Sequence, residues 1–418
     1  MMNLISNLVG VLLTLGASSA FADSWILENP NPELLKEVES IHGKATEKIV
    51  LGDNVFYTIS GNNLPEAQFA SAEVGEYLQR ITDASSAQPN YNIGLVKSVD
   101  ATSGKKVRAP EGWHVNNQNY KKLHTVATGK DIIVAVLDTG VDYKHNSLKN
   151  HIWSNKNEVP GNGIDDDKNG YIDDVVGWDF MDNDNDPSDV QGHGTHCAGI
   201  IGADAMKGGL SMGIAPAAKI MPIRLLANKT LLADAALAIK YAVDNGAKVL
   251  SNSWRIYSQW TQYDPSPKNL AIFKAAIEYA QSKDVIFVAA TGNERKDINK
   301  LSNKIWPVGY PGLTHLFGVA SSDPDGKASS FTNYGDKFTH VAAPGRDIYS
   351  TIPGNRWGFK SGTSMATPLV AGAIALALST GMSAHAVLED LVKTAVPNRQ
   401  WDHYAKSGGV INIYQLLK

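Results

Sequence analysis

Residues 369–378 consist only of Ala, Leu, Ile, Val and Gly, and this run limits the possible folds of the chain more than any other stretch. A helix that is apolar on every face is stable only inside a large core, so the run predicts a buried central helix. Small residues and Pro368 precede the run, and proline is best tolerated in a first helical turn, so we expect the helix to begin near Ser364. The N–H groups at a helix start stabilise anions, which suits acyl transfer to the Ser364 hydroxyl, although serine is also a common helix cap.

The composition is that of a globular protein with a substantial core. The chain has 418 residues, of which 43% are hydrophobic, and a net charge of −4. This length allows one large domain and one small one. The 38 basic residues are balanced by 42 acidic ones, so there is no electrostatic reason to expect a nucleic acid or a membrane surface as a partner.

Residues 1–22 have the pattern of a secretory signal peptide. Their apolar stretch at residues 8–17 is too short to span a bilayer, and the small residues Ala20 and Ala22 form a cleavage site, although no Lys or Arg precedes the stretch. We therefore expect a secreted protein, extracellular or periplasmic, without a membrane anchor. Its single cysteine, Cys197, excludes an intramolecular disulfide, so another staple such as bound metal is expected.

Residues 23–95 have an α+β pattern and form a small unit separate from the rest of the chain. Residues 96–110 are small, polar and basic without periodicity, which is typical of an exposed linker that a protease can reach. The elements predicted in the small unit are helices at residues 33–40 and 65–78 and strands at residues 48–51 and 55–58.

Residues 111–418 alternate apolar runs with stretches of helical periodicity. This alternation implies an α/β fold with a mostly parallel central sheet covered by helices on both faces. Catalytic groups lie at the strand ends of such a sheet. The predicted strands are residues 132–137, 219–225, 247–250, 285–290 and 317–320, and the predicted helices are residues 231–245 and 270–281.

Three further motifs place reactive side chains at strand ends or helix starts. Asp138 closes the first predicted strand in an Asp-Thr-Gly triplet, where a structural turn is the alternative; an aspartic protease would need a second triplet, which does not occur. His193 and His196 open a helix, yet the glutamate of the zinc motif His-Glu-x-x-His is missing. Asn293 follows another strand, either as an amide donor or in an ordinary Gly-Asn turn.

Asp138, His193, Asn293 and Ser364 together supply an acid, a base, an oxyanion donor and a nucleophile. Residues 113–418 resemble the subtilisin family of serine proteases, because the family's motifs occur here in the family's Asp, His, Asn, Ser order. The motifs are Asp-Thr-Gly, His-Gly-Thr-His, Gly-Asn and Gly-Thr-Ser-Met-Ala-x-Pro. The resemblance implies a three-layer subtilisin-like domain. It also implies that Ser364 attacks the peptide carbonyl, His193 transfers the proton, Asp138 fixes the imidazole tautomer, and Asn293 and the Ser364 N–H bind the oxyanion.

The same resemblance implies a substrate cleft and an inhibitory propeptide. Two strand ends would line the cleft and pair with the substrate backbone. Many relatives have Ser-Leu-Gly where this chain has Ser-Trp-Arg, so a preference for substrate side chains is not transferable. Residues 23–95 resemble the family's propeptide, cut off within the linker at residues 96–110, and the expected partners of a monomeric enzyme are this propeptide and protein or peptide substrates. The candidate cleft residues are Ser253, Trp254, Arg255, Ala290, Thr291 and Gly292.

Residues 165–189 contain ten aspartates and one lysine. Oxygen-bearing residues at alternate positions and a glycine at the sixth position resemble a calcium loop, although the usual glutamate at the twelfth is Val176. Without a cation this charge density would oppose a compact fold, so we expect a structural calcium ion; a solvated acidic loop is the alternative. The candidate ligands are Asp165, Asp167, Asn169, Tyr171 and Asp173.

These patterns predict a secreted, calcium-stabilised serine endopeptidase made as a self-processing zymogen. An α/β-hydrolase esterase is one alternative, because Ser364, Asp390 and His403 follow the Ser-Asp-His order. However, its Gly-x-Ser-x-Gly motif would end in Ala366, and only 54 residues (418 − 364) follow the serine. A calcium-dependent binding protein on an inactive protease scaffold is the other alternative. We expect Cys197 to be a small buried residue without a catalytic role.

Overall fold

A computed structural model describes residues 24–33, 35–36, 45–60, 86–89, 92–95, 109–205, 212–227, 230–256, 270–303 and 305–418. The predicted signal peptide, the predicted helix at residues 65–78 and nearly all of the predicted linker lie outside these residues. The chain divides into two units. The smaller contains Met1–Asn92, Leu231–Leu237 and Tyr257–Tyr279, and the larger contains Ile93–Thr230, Ala238–Ile256 and Ala280–Lys418.

The smaller unit contains a four-stranded antiparallel sheet. Both strands predicted there are present, and they form a hairpin whose turn begins at Gly52 with a left-handed φ of 62°, a conformation that glycine adopts without strain. Apolar side chains such as Leu27 and Phe56 are fully buried in this unit. The strands are β1 (Ser24–Glu28), β2 (Ala45–Leu51), β3 (Asn54–Ser60) and β4 (Ser86–Pro89), in the order β2-β3-β1-β4.

The larger unit is built on a nine-stranded sheet in the order β17-β18-β14-β13-β12-β10-β6-β8-β7. Every pairing is parallel except β17 with β18, so the predicted mostly parallel α/β fold is confirmed, and each of the five predicted strands is present. The strands are β6 (Ile133–Asp138), β7 (Trp178–Asp179), β8 (Lys219–Arg224), β10 (Val249–Asn252), β12 (Ile286–Ala290), β13 (Leu316–Ser322), β14 (Val341–Pro344), β17 (Val396–Pro397) and β18 (Gly409–Val410).

Shorter strands complete the larger unit. A hairpin is formed by β15 (Ile348–Ile352) and β16 (Arg356–Lys360). A three-stranded sheet has the order β11-β5-β9, made of β5 (Asn92–Leu95), β9 (Thr230–Leu231) and β11 (Trp254–Ile256). The pairing of β5 with β11 is antiparallel, which becomes important for the cleft.

The described helices include the buried central one that the apolar run predicted. It begins at Thr363, one residue before the expected start, and all of its residues up to Ala377 are buried. Pro368 lies in its second turn, so the expectation of a first-turn proline is wrong. The helices are α1 (Trp113–Asn116), α2 (Tyr120–Val126), α3 (His193–Gly202), α4 (Leu232–Asp244), α5 (Ala271–Ser282), α6 (Thr363–Leu378), α7 (Ala384–Lys393) and α8 (Ile413–Leu416).

The core of the larger unit lies between α3, α6 and one face of the sheet. Ile200 on α3 and Ile374 on α6 pack in one buried cluster with the strand residues Val136, Val288 and Val319. Because α6 has no polar face to offer to water, this packing accounts for its composition. The start of α6 is thereby held against the strand ends.

Candidate active site

Three neighbouring parallel strands end at the same edge of the sheet, and a predicted site residue lies at or just beyond each end. β6 ends in Asp138, β10 is followed directly by Ser253, and β12 is followed by a turn that leads to Asn293. The order β12-β10-β6 makes the three ends adjacent. The parallel sheet therefore brings together residues that are far apart in the sequence.

His193, the first residue of α3, donates a hydrogen bond from Nδ1 to Oδ1 of Asp138 at 2.8 Å. Both side chains are buried, with exposed fractions of 3% and 1%. The same carboxylate oxygen accepts the N–H of Thr139 at 2.8 Å. Nε2 of His193 is buried and has no hydrogen-bond partner among the described residues, so it is the ring nitrogen that can accept a proton.

The two histidines of the motif have opposite electrostatic environments. Burial disfavours the charged form of His193, but the charge of Asp138 and the hydrogen bond to it outweigh burial and hold the pKa of the imidazole well above its usual value. Burial, together with the charge of Lys360, lowers the pKa of His196 well below its usual value. Nε2 of His196 donates to the carbonyl oxygens of Ile348 and Gly358, both at 3.1 Å, so this neutral ring ties α3 to the β15–β16 hairpin.

Ser364 is the second residue of α6 and is fully buried. Its Oγ lies 3.4 Å from the carbonyl oxygen of Ser253, to which it donates a long hydrogen bond. The hydroxyl is thus held at a helix N-terminus, where the backbone N–H groups and the helix dipole favour negative charge.

The side chain of Asn293 is oriented by the residue before Ser364. Its Oδ1 accepts hydrogen bonds from the N–H and the hydroxyl of Thr363, at 2.9 and 3.0 Å. This directs Nδ2 toward Gly362, where an added Cβ would lie only 3.1 Å from it and 3.5 Å from the Ser364 nitrogen. Nδ2 of Asn293 and the backbone nitrogen of Ser364 therefore both lie close to one point beside Gly362. Two N–H donors that converge on one point are what the predicted oxyanion site needs.

Pro368 explains how the carbonyl group of Ser364 is held. Proline has no N–H, so the Ser364 oxygen lacks the hydrogen bond that a residue four positions later normally donates in a helix. It accepts instead from the hydroxyl of Ser253 at 3.0 Å and from the thiol of Cys197 at 3.4 Å. Burial raises the pKa of the Cys197 thiol, although the charge of His193 lowers it, so the thiol keeps the proton that it donates.

The sequence analysis did not identify Asp189, which organises the start of α3. Its carboxylate links Thr139, next to Asp138, to the helix that carries His193. The N-cap of this helix is Gly192, so the capping rule gave no signal for Asp189 in the sequence. It accepts hydrogen bonds from the N–H groups of Gln191, Gly192 and Thr195 and from the hydroxyls of Thr139 and Thr195.

Comparison with known proteins agrees with this geometry. A model described as "Subtilase family" matches residues 129–410. The chain belongs to the subtilase family. Membership confirms the resemblance to subtilisin-like serine proteases and the three-layer α/β fold.

Three relatives show the extent of the similarity. A thermophilic serine proteinase of Bacillus sp. (strain AK1) is 36% identical over 286 residues, which are 68% of this chain and 61% of that protein. Thermitase of Thermoactinomyces vulgaris is 35% identical over 293 residues, covering 70% of this chain and 86% of thermitase. The crystal structure of fervidolysin from Fervidobacterium pennivorans, a keratinolytic enzyme related to subtilisin, has the same fold, with a TM-score of 0.72 and 22% identity over 97% of this chain and 62% of that one.

The esterase arrangement is not favoured in this subtilase. His403 has a side chain that is 91% exposed, and its Nδ1 lies 3.7 Å from a carboxylate oxygen of Asp336, whereas Ser364 is buried at the start of α6.

Among the helices that the structure describes, none has the length and hydropathy that crossing a bilayer requires.

The predicted cleft residues of this subtilase lie along two segments beside Ser364. Residues 254–256 form β11 and pair antiparallel with residues 93–95, in the register Trp254 with Leu95 and Arg255 with Gly94. Ala290 ends β12. The hydroxyl of Thr291 donates a hydrogen bond to the carbonyl oxygen of Val319, and the N–H of Gly292 donates one to the hydroxyl of Thr363 at 3.2 Å. A segment of the protein's own chain therefore occupies the strand edge on which the resemblance predicts substrate binding.

In the acidic loop of the subtilase, the structure brings together Glu158, Asp167 and Asp174. Ligand oxygens of these three side chains all lie within 4.8 Å of one another. Of the five predicted ligands, only Asp167 belongs to this cluster. Glu158 precedes the aspartate-rich stretch, so the spacing within that stretch gave no sign of it.

The other predicted ligands are used within the loop. Asp165 accepts the N–H groups of Asn169 and Gly170, at 3.1 and 2.8 Å. Asp173 accepts those of residues 161–163 at 2.7–3.2 Å. The amide of Asn169 donates to Asp174 at 3.2 Å, and the ring of Tyr171 packs edge-on against that of Trp178. These contacts fold the loop around the three-carboxylate cluster.

The cluster has a donor set that suits calcium. Glu158 is 6% exposed and Asp174 is completely buried. Burial raises the pKa of Asp174 to about 6, even though hydrogen bonds from Tyr241, Asn155 and Asn169 favour its ionised form. Calcium prefers carboxylate oxygens, and a divalent cation would offset the mutual repulsion of three such groups.

Proposed function

We propose that this subtilase is a serine endopeptidase with a triad of Asp138, His193 and Ser364. The observation that carries the proposal is the buried 2.8 Å hydrogen bond between Asp138 and His193, adjacent to the start of α6. Cys197 links α3, which carries His193, to α6, which carries Ser364. Its Sγ lies 3.9 Å from Nδ1 of His193 and 3.4 Å from the carbonyl oxygen of Ser364.

The proposed reaction uses each group for one task. Nε2 of His193 takes the proton of Ser364 as its Oγ attacks the peptide carbonyl, and then gives that proton to the leaving amine. Asp138 keeps Nδ1 protonated and stabilises the imidazolium. Nδ2 of Asn293 and the N–H of Ser364 bind the oxyanion of the tetrahedral intermediate, and water then hydrolyses the acyl-enzyme by the same proton transfers.

The acidic loop is proposed to hold a structural calcium ion. Glu158, Asp167 and Asp174 would be ligands, with Asp165, Asn169, Tyr171 and Asp173 of the original prediction either completing the coordination or shaping the loop. The bound ion would supply positive charge that lets the buried carboxylates remain ionised in the folded protein.

The enzyme is further proposed to be a secreted, monomeric zymogen inhibited by its own residues 23–95. The antiparallel pairing of residues 93–95 with β11 supports this, because a segment next to the predicted linker pairs with the strand to which we propose that substrates bind. Its substrates would be extended segments of proteins or peptides that bind in the same way after this segment is released.

The nucleophile can be tested directly. Ser364→Ala should abolish both casein hydrolysis and labelling by a fluorophosphonate, since nucleophile and base act as a unit. His403→Ala and His385→Ala are controls outside the proposed triad, and both should keep most of the activity. Labelling that persists in Ser364→Ala would refute the proposal, and loss of activity in folded His403→Ala would revive the esterase. A wild type that binds calcium but hydrolyses neither casein nor peptides would favour the binding-protein alternative.

A further inference from the structure

An ion pair connects the two segments that line the predicted cleft. Nη1 of Arg255, on β11, lies 2.9 Å from Oε1 of Glu294, the residue directly after Asn293. The two side chains are 19% and 25% exposed, so the pair is shielded from most of the solvent while remaining accessible. Glu294 was not among the residues predicted from the sequence.

The carboxylate of Glu294 is held in place from behind by Asn333, which is completely buried. Nδ2 of Asn333 donates to Oε2 of Glu294 at 2.7 Å and to the carbonyl oxygen of Thr291 at 2.8 Å, and its Oδ1 accepts the N–H of Glu294 at 3.1 Å. The carboxylate also lies close to Gly292, where an added Cβ would be 2.7 Å from Oε2. Glu294 is therefore a fixed charge on the turn that leads from β12 to Asn293.

The partner strand shows where a bound peptide would run. In the β5–β11 pairing, Arg255 is opposite Gly94 and Trp254 is opposite Leu95, so the paired segment runs toward Ser253 as its residue numbers rise. The carbonyl oxygen of Ser253 is 3.4 Å from the hydroxyl of Ser364. In this register the peptide residue opposite Arg255 lies two positions before the residue opposite Ser253. Side chains two positions apart on a strand point to the same face, so Arg255 lies on the face that carries the side chain before the scissile bond.

We propose that the Arg255–Glu294 pair sets the charge preference of the pocket for the side chain that precedes the scissile bond; the inference rests on the proposed endopeptidase function. Each member neutralises the other, so the intact pair gives a pocket without net charge that favours uncharged side chains. Removing one member leaves an oriented charge of the opposite sign in a partly shielded site, where it attracts a complementary side chain.

The test compares peptides that are identical except for Leu, Lys or Glu before the cleaved bond. Arg255→Gln should raise the ratio of kcat/KM for the Lys peptide to that for the Leu peptide by about two- to fivefold, the size expected for one accessible charge contact. Glu294→Gln should raise the Glu-to-Leu ratio in the same way, and its amide oxygen can still accept the hydrogen bond from Asn333. The double variant should show neither shift, and Arg255→Lys should keep the wild-type ratios.

Arg346→Gln is the matched control. Nε of Arg346 lies 2.6 Å from Oδ1 of Asp323, with exposed fractions of 22% and 21%, close to those of the cleft pair. This variant should leave both ratios unchanged. The inference is overturned if both cleft variants change the ratios no more than Arg346→Gln while the Leu peptide is still cut and Ser364 is still labelled. Absence of cleavage and labelling in the wild type would instead overturn the proposed function.

Discussion

At the scale of single residues, the thiol of Cys197 is a hydrogen-bond donor that compensates for a proline. Its Sγ lies 3.9 Å from Nδ1 of His193, yet burial raises the pKa of the thiol, so the reactive thiolate is disfavoured. Its proton is directed instead to the carbonyl oxygen of Ser364, to which Pro368, four residues later, has no N–H to donate. This supports the expectation that Cys197 has a packing role, and adds a specific one.

The raised pKa of His193 predicts the pH dependence of activity. Only the neutral imidazole can accept the proton of Ser364, so activity falls as pH decreases through the pKa of His193. Because Asp138 holds this pKa above its usual value, we expect the acidic limb of kcat/KM to have its midpoint above the ordinary histidine value of 6.5. Profiles of kcat/KM against pH, measured with an uncharged peptide, give this midpoint.

Asp138→Asn provides the comparison for that profile. Without the carboxylate, the largest influence that raises the pKa of His193 is lost while burial still lowers it, so the midpoint should move to lower pH. The wrong tautomer should reduce kcat by about 10⁴-fold, a magnitude taken from related triads. Asp325→Asn removes an exposed carboxylate far from the triad in sequence and should change neither quantity. A midpoint that does not move would mean that Asp138 does not control the charge of His193.

At the scale of an element, the acidic loop is a long connection folded by carboxylates accepting backbone N–H groups. Glu158 accepts the N–H groups of Asp166, Asp167 and Asp173, at 2.9–3.2 Å, and so ties Asp166 and Asp167 to Asp173 within the loop. This arrangement places several negatively charged carboxylates close together, and their repulsion destabilises the folded loop. A bound cation would convert this cluster from a source of repulsion into a cross-link.

Removal of calcium should therefore destabilise the protein. EDTA should lower Tm and speed self-digestion, and excess calcium should restore both; at 100 times Kd the ion contributes about 2.7 kcal/mol to the free energy of unfolding. Asp167→Asn should lose most of this response, whereas Asp325→Asn, outside the loop, should keep it. Because burial raises the pKa of Asp174 to about 6, the response should also weaken as pH falls below that value and the carboxyl takes up a proton.

A protein whose stability does not depend on calcium would have a solvated acidic loop instead of a metal site. The calcium proposal fails if Tm is equal in calcium and in EDTA and elemental analysis of the purified protein finds no bound ion.

At the scale of the whole molecule, residues 93–95 pair with β11, the strand on which the resemblance predicts substrate binding. By their contacts these residues belong to the larger unit, although the sequence analysis assigned them to the propeptide. A strand of the same chain on the substrate edge is the arrangement expected of an inhibitor that is also the first substrate.

The precursor should cut itself once in cis before it acts on other proteins. Because residues 93–95 run along β11 toward Ser253, we expect the first cut within two residues after Leu95, at or next to the bond between Val96 and Lys97. Trimming of the rest of the linker would leave a mature enzyme that begins shortly before Trp113. Intact mass and N-terminal sequencing of the secreted protein identify both sites.

Ser364→Ala is the control for maturation, since it should remain full length after removal of the signal peptide. Identical processing of this variant and the wild type would show that another protease matures the chain. An uncut wild type with full activity would show that residues 23–95 are not an inhibitor.

Local sequence patterns determined the elements and the chemical groups of this subtilase. A ten-residue run with no polar residue favours a buried helix, and shorter apolar runs between helical stretches favour covered parallel strands, because burial depends on composition and period. Motif chemistry likewise singled out Asp138, His193, Asn293 and Ser364. These inferences need no knowledge of which distant segments meet.

Only the tertiary structure decided which side chains face one another. The pairing of Arg255 with Glu294, the cluster of Glu158 with Asp167 and Asp174, and the hydrogen bonds that Asp189 accepts all join residues through turns and strand ends. The distances between these residues along the sequence follow neither the helix nor the strand period. They depend on loop conformations and on the order of the strands in the sheet. The sequence could therefore predict a calcium loop and a substrate cleft, but the side chains that meet in each of these regions depend on how the chain folds back on itself.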